Sequence, residues 1–265
     1  MQHEVIKLRE KETNVFIPTL TTYVLDDPLE NNRRFPAVLI CPGGGYGFCS
    51  PREAEPIALQ FAANAVHTFV LNYSVAPIKF PTALEDVSTA MSVIRENADR
   101  WNVDPDKIAV CGFSAGGHLA ASLGVFWNSE PIKTADGSNK PNALILGYPV
   151  ITSGELTHGG SFDNLCGDDE TLRKHMSLEF QVTKDTPPTF LWHTFTDSCV
   201  PLENSLLFAG ALRREGIPFE LHVYPKGPHG LATASDYTCT ENNYSKKVPE
   251  WFDLANAFLK EIFVQ

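Results

Sequence analysis

The 265-residue sequence predicts an α/β fold: a mostly parallel, twisted sheet of about eight strands with helices on both faces. Three observations lead there. Short apolar runs such as Ala37-Val38-Leu39-Ile40-Cys41 and Ala143-Leu144-Ile145-Leu146 have no polar alternation, as strands buried on both faces do not. Segments of helical period alternate with them at crossover length. One junction, Ile108-Ala-Val-Cys-Gly-Phe-Ser114-Ala-Gly-Gly-His118, goes directly from strand to sharp turn to helix, with a serine at the apex.

In chain order, residues 4–9 and 14–25 are expected as an antiparallel edge hairpin around 10–13. The strand ending at Cys41 runs into Pro42-Gly43-Gly44-Gly45-Tyr46. Residues 50–65 are helical, 67–73 a buried strand, and Pro81 opens a long helix whose Leu84, Val87, Met91 and Ile94 make one core-facing stripe. After the central strand and its helix comes 143–148, then an irregular stretch, 151–188, the candidate for a small cap. Strand 189–195, helix 202–215 closed by Gly216, strand 219–224 and a final helix bearing Trp251, Ala255, Phe258 and Ile262 complete one domain over 1–265.

Composition excludes several function classes. With 43% hydrophobic and 20% charged residues the chain is globular. A formal charge of −11 repels phosphate backbones and anionic lipid, so neither nucleic acid nor a membrane is an expected partner. The first residues lack a signal-like apolar core and no run spans a bilayer, which reads as cytoplasmic. The six cysteines, 41, 49, 111, 166, 199 and 239, show no paired metal spacing and are expected as reduced thiols. No metal or cofactor is called for, because no histidine or carboxylate cluster has ligand spacing. Oligomeric state is open, with a homodimer compatible.

Chemistry concentrates at three loop positions. A serine raised on a tight elbow needs neighbours without side chains two positions away, and Gly112 and Gly116 supply that. A serine hydroxyl also needs a base, and the base an acid to orient it. Asp197 directly follows the strand ending at Phe195, whereas its rival Asp185 precedes that strand. His229, between Pro228 and Gly230 after the last strand, is the expected base. His193 is the main competitor but lies within a strand, and His118 is read as packing or as a supporting hydrogen bond. The glycine run after Cys41 suits an oxyanion hole, with amides of Gly43 and Gly44 joining that of Ala115 and Gly45 able to replace one.

Taken with Leu71-Asn-Tyr-Ser-Val-Ala-Pro77, Phe80-Pro-Thr-Ala-Leu-Glu-Asp86 and Asp104-Pro-Asp-Lys107, these stretches resemble the α/β-hydrolase superfamily from about residue 36 onward. Within it they are similar to the carboxylesterase and acetylxylan-esterase-like branch related to the hormone-sensitive-lipase group. The resemblance implies an ester hydrolase with Ser114 as nucleophile, His229 as base, Asp197 as orienting acid and the glycine loop as oxyanion hole. Pro42 departs from the histidine that lipase-like members carry before the glycines, and members with this detail tend to act on acetylated sugars. The implied substrate is a short-chain ester of a small molecule or oligosaccharide, with Tyr46 and Tyr73 as candidate contacts. A peptidase or amidase of related fold, or a ligand-binding protein on a hydrolase scaffold, are the competing readings.

Overall fold

The computed structural model describes residues 1–9, 16–240 and 243–264. Its centre is one eight-stranded sheet in the order β1-β2-β4-β3-β5-β6-β7-β8. The strands are β1 (Val5–Lys7), β2 (Thr19–Tyr23), β3 (Phe35–Cys41), β4 (His67–Asn72), β5 (Val103–Phe113), β6 (Ala143–Gly147), β7 (Thr189–Thr194) and β8 (Phe219–Tyr224). The helices are α1 (Glu55–Ala62), α2 (Thr82–Glu96), α3 (Ala98–Trp101), α4 (Ala115–Phe126), α5 (Gly159–Cys166), α6 (Glu170–His175), α7 (Glu203–Glu215) and α8 (Trp251–Ile262).

β1 and β2 pair antiparallel at the edge, as expected, although the strands are shorter than their apolar stretches. The expected turn at 10–13 and the start of the second segment lie outside the described residues. From β4 to β8 every neighbouring pair is parallel.

Burial on both faces explains the unbroken apolar runs. Alternate residues of β3, Ala37 and Leu39 against Val38 and Ile40, enter two separate cores. One core receives the α2 stripe of Leu84, Val87, Met91 and Ile94, together with α4 and Phe208 and Leu212 of α7. The opposite core receives Ile57 and Phe61 of α1 and Trp251, Ala255 and Phe258 of α8.

Topology then fixes where a site can form. From β3 the chain turns one way to β4, and it crosses back to place β5 on the other side of β3. Loops leaving β3 and β5 therefore diverge and open a crevice at the carboxyl ends of the strands. The glycine loop and the serine elbow are those two loops.

The stretch 151–188 is more ordered than its sequence pattern indicates. It contains α5, α6 and a turn of 3₁₀-helix at Leu178–Phe180, with Phe162, Leu165 and Leu178 buried. Its helices are too short for a periodic signal, and tertiary contact rather than propensity holds them. Among the described residues no helix is long and apolar enough to cross a membrane.

Candidate active site

β5 ends at Phe113 and α4 begins at Ala115, leaving Ser114 alone at the junction with φ +54° and ψ −122°. That strained conformation is held from three sides: its amide donates to Gly147 O at 3.0 Å, and its carbonyl accepts from His118 N at 3.1 Å and Val150 N at 3.0 Å. A side chain at 112 would put its Cβ 2.1 Å from Gly116 O, and one at 116 would meet Cys41 O at 2.1 Å. The two glycines therefore let the elbow fold on itself and let the glycine loop press against it.

Three residues far apart in sequence meet in a hydrogen-bonded row. His229 Nε2 is 2.8 Å from Ser114 Oγ, and His229 Nδ1 is 2.7 Å from Asp197 Oδ2. A carboxylate can only accept, so Nδ1 carries the proton and Nε2 accepts from the serine hydroxyl. The other oxygen of Asp197 accepts from the amides of Cys199 at 2.9 Å and Val200 at 3.0 Å.

Burial opposes ionisation of Asp197, but hydrogen bonds from His193 and His229, the His229 charge and the Val200 amide outweigh it and hold the carboxyl well below the usual range. His193 is the ring behind this carboxylate. Its Nε2 lies 3.0 Å from Val200 O and 3.4 Å from Asp197 Oδ2, and its Nδ1 is 2.8 Å from Ser205 Oγ, so it never reaches the serine. Asp185 precedes β7, at the end of the sheet away from the elbow.

The loop carrying His229 is fastened to the loop carrying Asp197. Thr194 Oγ1 donates to Gly227 O at 2.8 Å, and Gly227 N donates to Thr196 Oγ1 at 2.9 Å. The left-handed backbone of the bend is at Gly230, φ +76°.

The glycine loop requires one correction. The amide of Gly43, expected as an oxyanion donor, is already spent on Glu53 Oε2 at 2.8 Å. Glu53 is 3% exposed, and its Oε1 accepts from Tyr148 Oη at 2.7 Å, while Tyr148 Oη accepts from Ala232 N at 2.9 Å. One carboxylate thus ties the glycine loop, the end of β6 and the loop after His229 together. Gly44 and Gly45 line the cleft beside Ser114, and their amides have no acceptor among the described residues. The Ala115 amide, first in α4, has no intrahelical acceptor. Among the described residues, the amides left without an acceptor around the elbow are therefore those of Gly44, Gly45 and Ala115.

Tyr46 and Tyr73 are a second correction, because both are buried behind the glycine loop. Tyr73 Oη donates to Pro42 O at 2.6 Å. Tyr46 Oη is 2.8 Å from His118 Nδ1, and His118 Nε2 is 2.9 Å from Met176 O. Burial pushes His118 down to about 4, so it is a neutral ring donating from Nε2 and accepting at Nδ1. Both tyrosines brace the loop. The side chains that do line the cleft include Phe48, Ser50, Arg52, Glu53, His158 and Cys199. None of these was singled out as a site residue from sequence, and only the closeness of Phe48 to the glycine run hinted at one.

Strained serine, buried carboxylate-histidine pair and convergent amides define a site for acyl transfer on a doubly wound sheet. The chain belongs to the α/β-hydrolase family: the model of the alpha/beta hydrolase fold matches residues 38–182. The acetyl ester-xyloside bifunctional hydrolase of Caldicellulosiruptor lactoaceticus superposes with a TM-score of 0.87 at 39% identity, over 98% of this chain and 96% of that one. A carboxylesterase of Lactobacillus plantarum gives 0.84 at 31% identity, over 98% of both chains. Among curated relatives, endo-1,4-beta-xylanase B of Butyrivibrio fibrisolvens is 43% identical over 83% of this chain and 36% of its own length. The acetylxylan esterase of Xylanibacter ruminicola is 29% identical over 74% of this chain and 41% of its own length. The chain thus spans less than half the length of these two relatives.

Two outcomes follow from the site. Replacing Glu53 by Ala leaves the Gly43 amide and the Tyr148 hydroxyl without their acceptor, so kcat on a short-chain ester is expected to fall about 10²-fold, the scale of one lost oxyanion donor. Glu53→Gln, whose amide oxygen can still accept from Gly43, should retain most of it. Wild-type kcat in a folded Glu53→Ala protein would show that the anchor is dispensable.

The second outcome concerns acid. The native Asp197 carboxyl releases its proton more readily than the unfolded chain's, near about 3.9, so its stabilising contribution is complete above that pH and lost as pH falls below it. The melting-temperature gap between wild type and Asp197→Asn should therefore narrow as pH is lowered from about 6 to about 3. A gap that widens on acidification contradicts the depressed carboxyl.

Proposed function

We propose that the protein is a serine esterase that removes short acyl groups, acetate foremost, from acetylated xylan-derived oligosaccharides. The observation that carries this reading is the hydrogen-bonded row Ser114, His229, Asp197, with Ser114 and His229 lining one cleft together with Gly44 and Gly45 of the glycine loop.

Each step uses a group already in place. As Ser114 Oγ attacks the ester carbon, its proton passes to His229 Nε2, and Asp197 stabilises the imidazolium that forms. The carbonyl oxygen becomes an oxyanion facing the three amides, which need little reorganisation because the glycine loop is anchored through Gly43. The tetrahedral adduct collapses, His229 returns the proton to the departing alcohol oxygen, and an acetylated Ser114 remains. Water, deprotonated by the same imidazole, repeats the sequence and releases the acid.

The acyl and alcohol classes are supported by the cleft and by the relatives. The cleft, ≈260 Å³, is open and mixes Ser50, Arg52, Glu53, His158 and Cys199 with a single large apolar side chain, Phe48. It lacks the continuous apolar wall that a long acyl chain needs. Two relatives named for acetyl esters, one of them also for xylosides, support acetylated xylosides as substrate. The second activity in that bifunctional enzyme's name is not carried over. Glycoside hydrolysis uses a pair of carboxyl groups, and Glu53, the one acid among the described lining residues, has both oxygens engaged. All six thiols are free, which supports a reducing compartment and the cytoplasmic placement read from the sequence.

Acetate release from acetylated xylooligosaccharides, measured beside p-nitrophenyl esters of increasing chain length and a set of peptide amides, tests the reading. Acetyl esters should be turned over fastest, and Ser114→Ala should lower kcat on the order of 10⁵-fold. Preference for long-chain esters, or faster cleavage of an amide than of any ester, would overturn it.

A further inference from the structure

The cleft in front of Ser114 has one large apolar side chain, Phe48, that the described residues leave mostly uncovered. Phe48 lines it and is 59% exposed, although burying such a ring is worth about 1.5–3 kcal/mol. The ring is carried on a fixed turn rather than a loose tip. The amides of Gly47 and Phe48 both point to Gly44 O, at 2.9 and 3.3 Å, and Ser50 N donates to Gly43 O at 2.9 Å. Gly44 has φ +125°, and a Cβ there would lie 2.0 Å from Phe48 O. The turn that presents the oxyanion amides therefore also sets the position of the phenyl ring.

His158 enters the same cleft from the 151–188 insertion. Its Nδ1 is 2.8 Å from Ser161 Oγ, while Nε2 has no hydrogen-bond partner among the described residues. Burial and then repulsion from His229 push its pKa down, which keeps the ring neutral and suited to an uncharged partner. The insertion is itself clasped to the glycine loop, since Asn164 Nδ2 donates to Gly45 O at 2.8 Å. Phenyl ring, imidazole and oxyanion amides are thus positioned relative to one another through one short loop.

A flat apolar ring beside a neutral donor-acceptor matches a molecule that is apolar on one face and hydroxylated at its edge. We propose that Phe48 and His158 form the subsite for the pyranose ring that carries the ester. Phe48 stacks on the C–H face of the sugar, and His158 Nε2 hydrogen-bonds a hydroxyl neighbouring the acylated one. The assignment rests on the ester-hydrolase reading and names the side chains that hold its sugar ring.

The test compares kcat/KM for acetylated xylotriose with that for p-nitrophenyl acetate in wild type, Phe48→Ala, Phe48→Tyr and His158→Ala. Phe48→Ala should lower the ratio of sugar ester to p-nitrophenyl acetate about tenfold, through KM, the scale of one ring-stacking contact. Phe48→Tyr should hold the ratio, and His158→Ala should lower it about fivefold, the scale of one hydrogen bond. An unchanged ratio in Phe48→Ala and His158→Ala overturns the subsite. Competition of unacetylated xylotriose against p-nitrophenyl acetate separates this inference from the reaction it rests on. Inhibition that is present in wild type and lost in Phe48→Ala supports the subsite, even if acetylated xylotriose itself is not cleaved. No inhibition in wild type overturns it, whatever esters are hydrolysed.

Discussion

The site depends on one backbone constraint, the left-handed conformation of Ser114 between β5 and α4. An L-residue adopts it only when its surroundings leave no alternative. Here the surroundings are the ends of the two flanking strands and the loop after β6. β6 gives a carbonyl acceptor at Gly147, β3 brings the backbone of Cys41 and Pro42 against Gly116, and Val150 caps the serine carbonyl. Burial of the sheet on both faces stabilises that packing, and the strain at the elbow is held by it. The conformation of Ser114 is therefore a property of the whole parallel sheet rather than of the Gly-x-Ser-x-Gly segment.

Two buried carboxylates complete the arrangement in different ways. Asp197 is stabilised by His193, His229 and two amides, and it sets its charge against the His229 ring. Glu53 is satisfied by one amide and one phenol, and it delivers position: the glycine loop, Tyr148 and the backbone at Ala232 are fixed relative to one another through it. Tyr148 also sets its ring edgewise to His229, with centroids 4.9 Å apart. Leaving either carboxylate without its donors would strand a charge in a low-dielectric region, so both networks are complete or costly.

Much of this was legible in the sequence, because the fold writes its site at strand ends. Ser114, Asp197 and His229 each follow a segment that reads as a strand, and the rule that sites lie at carboxyl ends favours Asp197 over Asp185 and His229 over the in-strand His193. What could not be read were contacts made by side chains with no periodic or positional signature. Glu53 stands in Pro51-Arg52-Glu53-Ala54-Glu55, where nothing distinguishes the buried acid from its exposed-looking neighbours, so the capture of the Gly43 amide, which leaves the free amides of the loop at Gly44 and Gly45, has no sequence signal. Tyr46 and Tyr73 are candidate contacts from sequence, where an aromatic of the core and one of a cleft look alike. Their hydroxyls instead found buried acceptors at His118 and Pro42. His158 follows no strand, and it reaches the cleft from an insertion whose short helices depend on tertiary packing.

The central claim is that Ser114, activated through His229 and Asp197, takes the acyl group from its substrate. Rapid acid quenching of the enzyme during turnover of p-nitrophenyl acetate, followed by peptide mass spectrometry, tests it most directly. The account predicts a single acetyl adduct on the peptide that contains Ser114, which forms within the first turnover and is absent from the Ser114→Ala protein. An adduct on another residue lining the cleft, such as Cys199, or turnover with no adduct at Ser114 at any time, would contradict it.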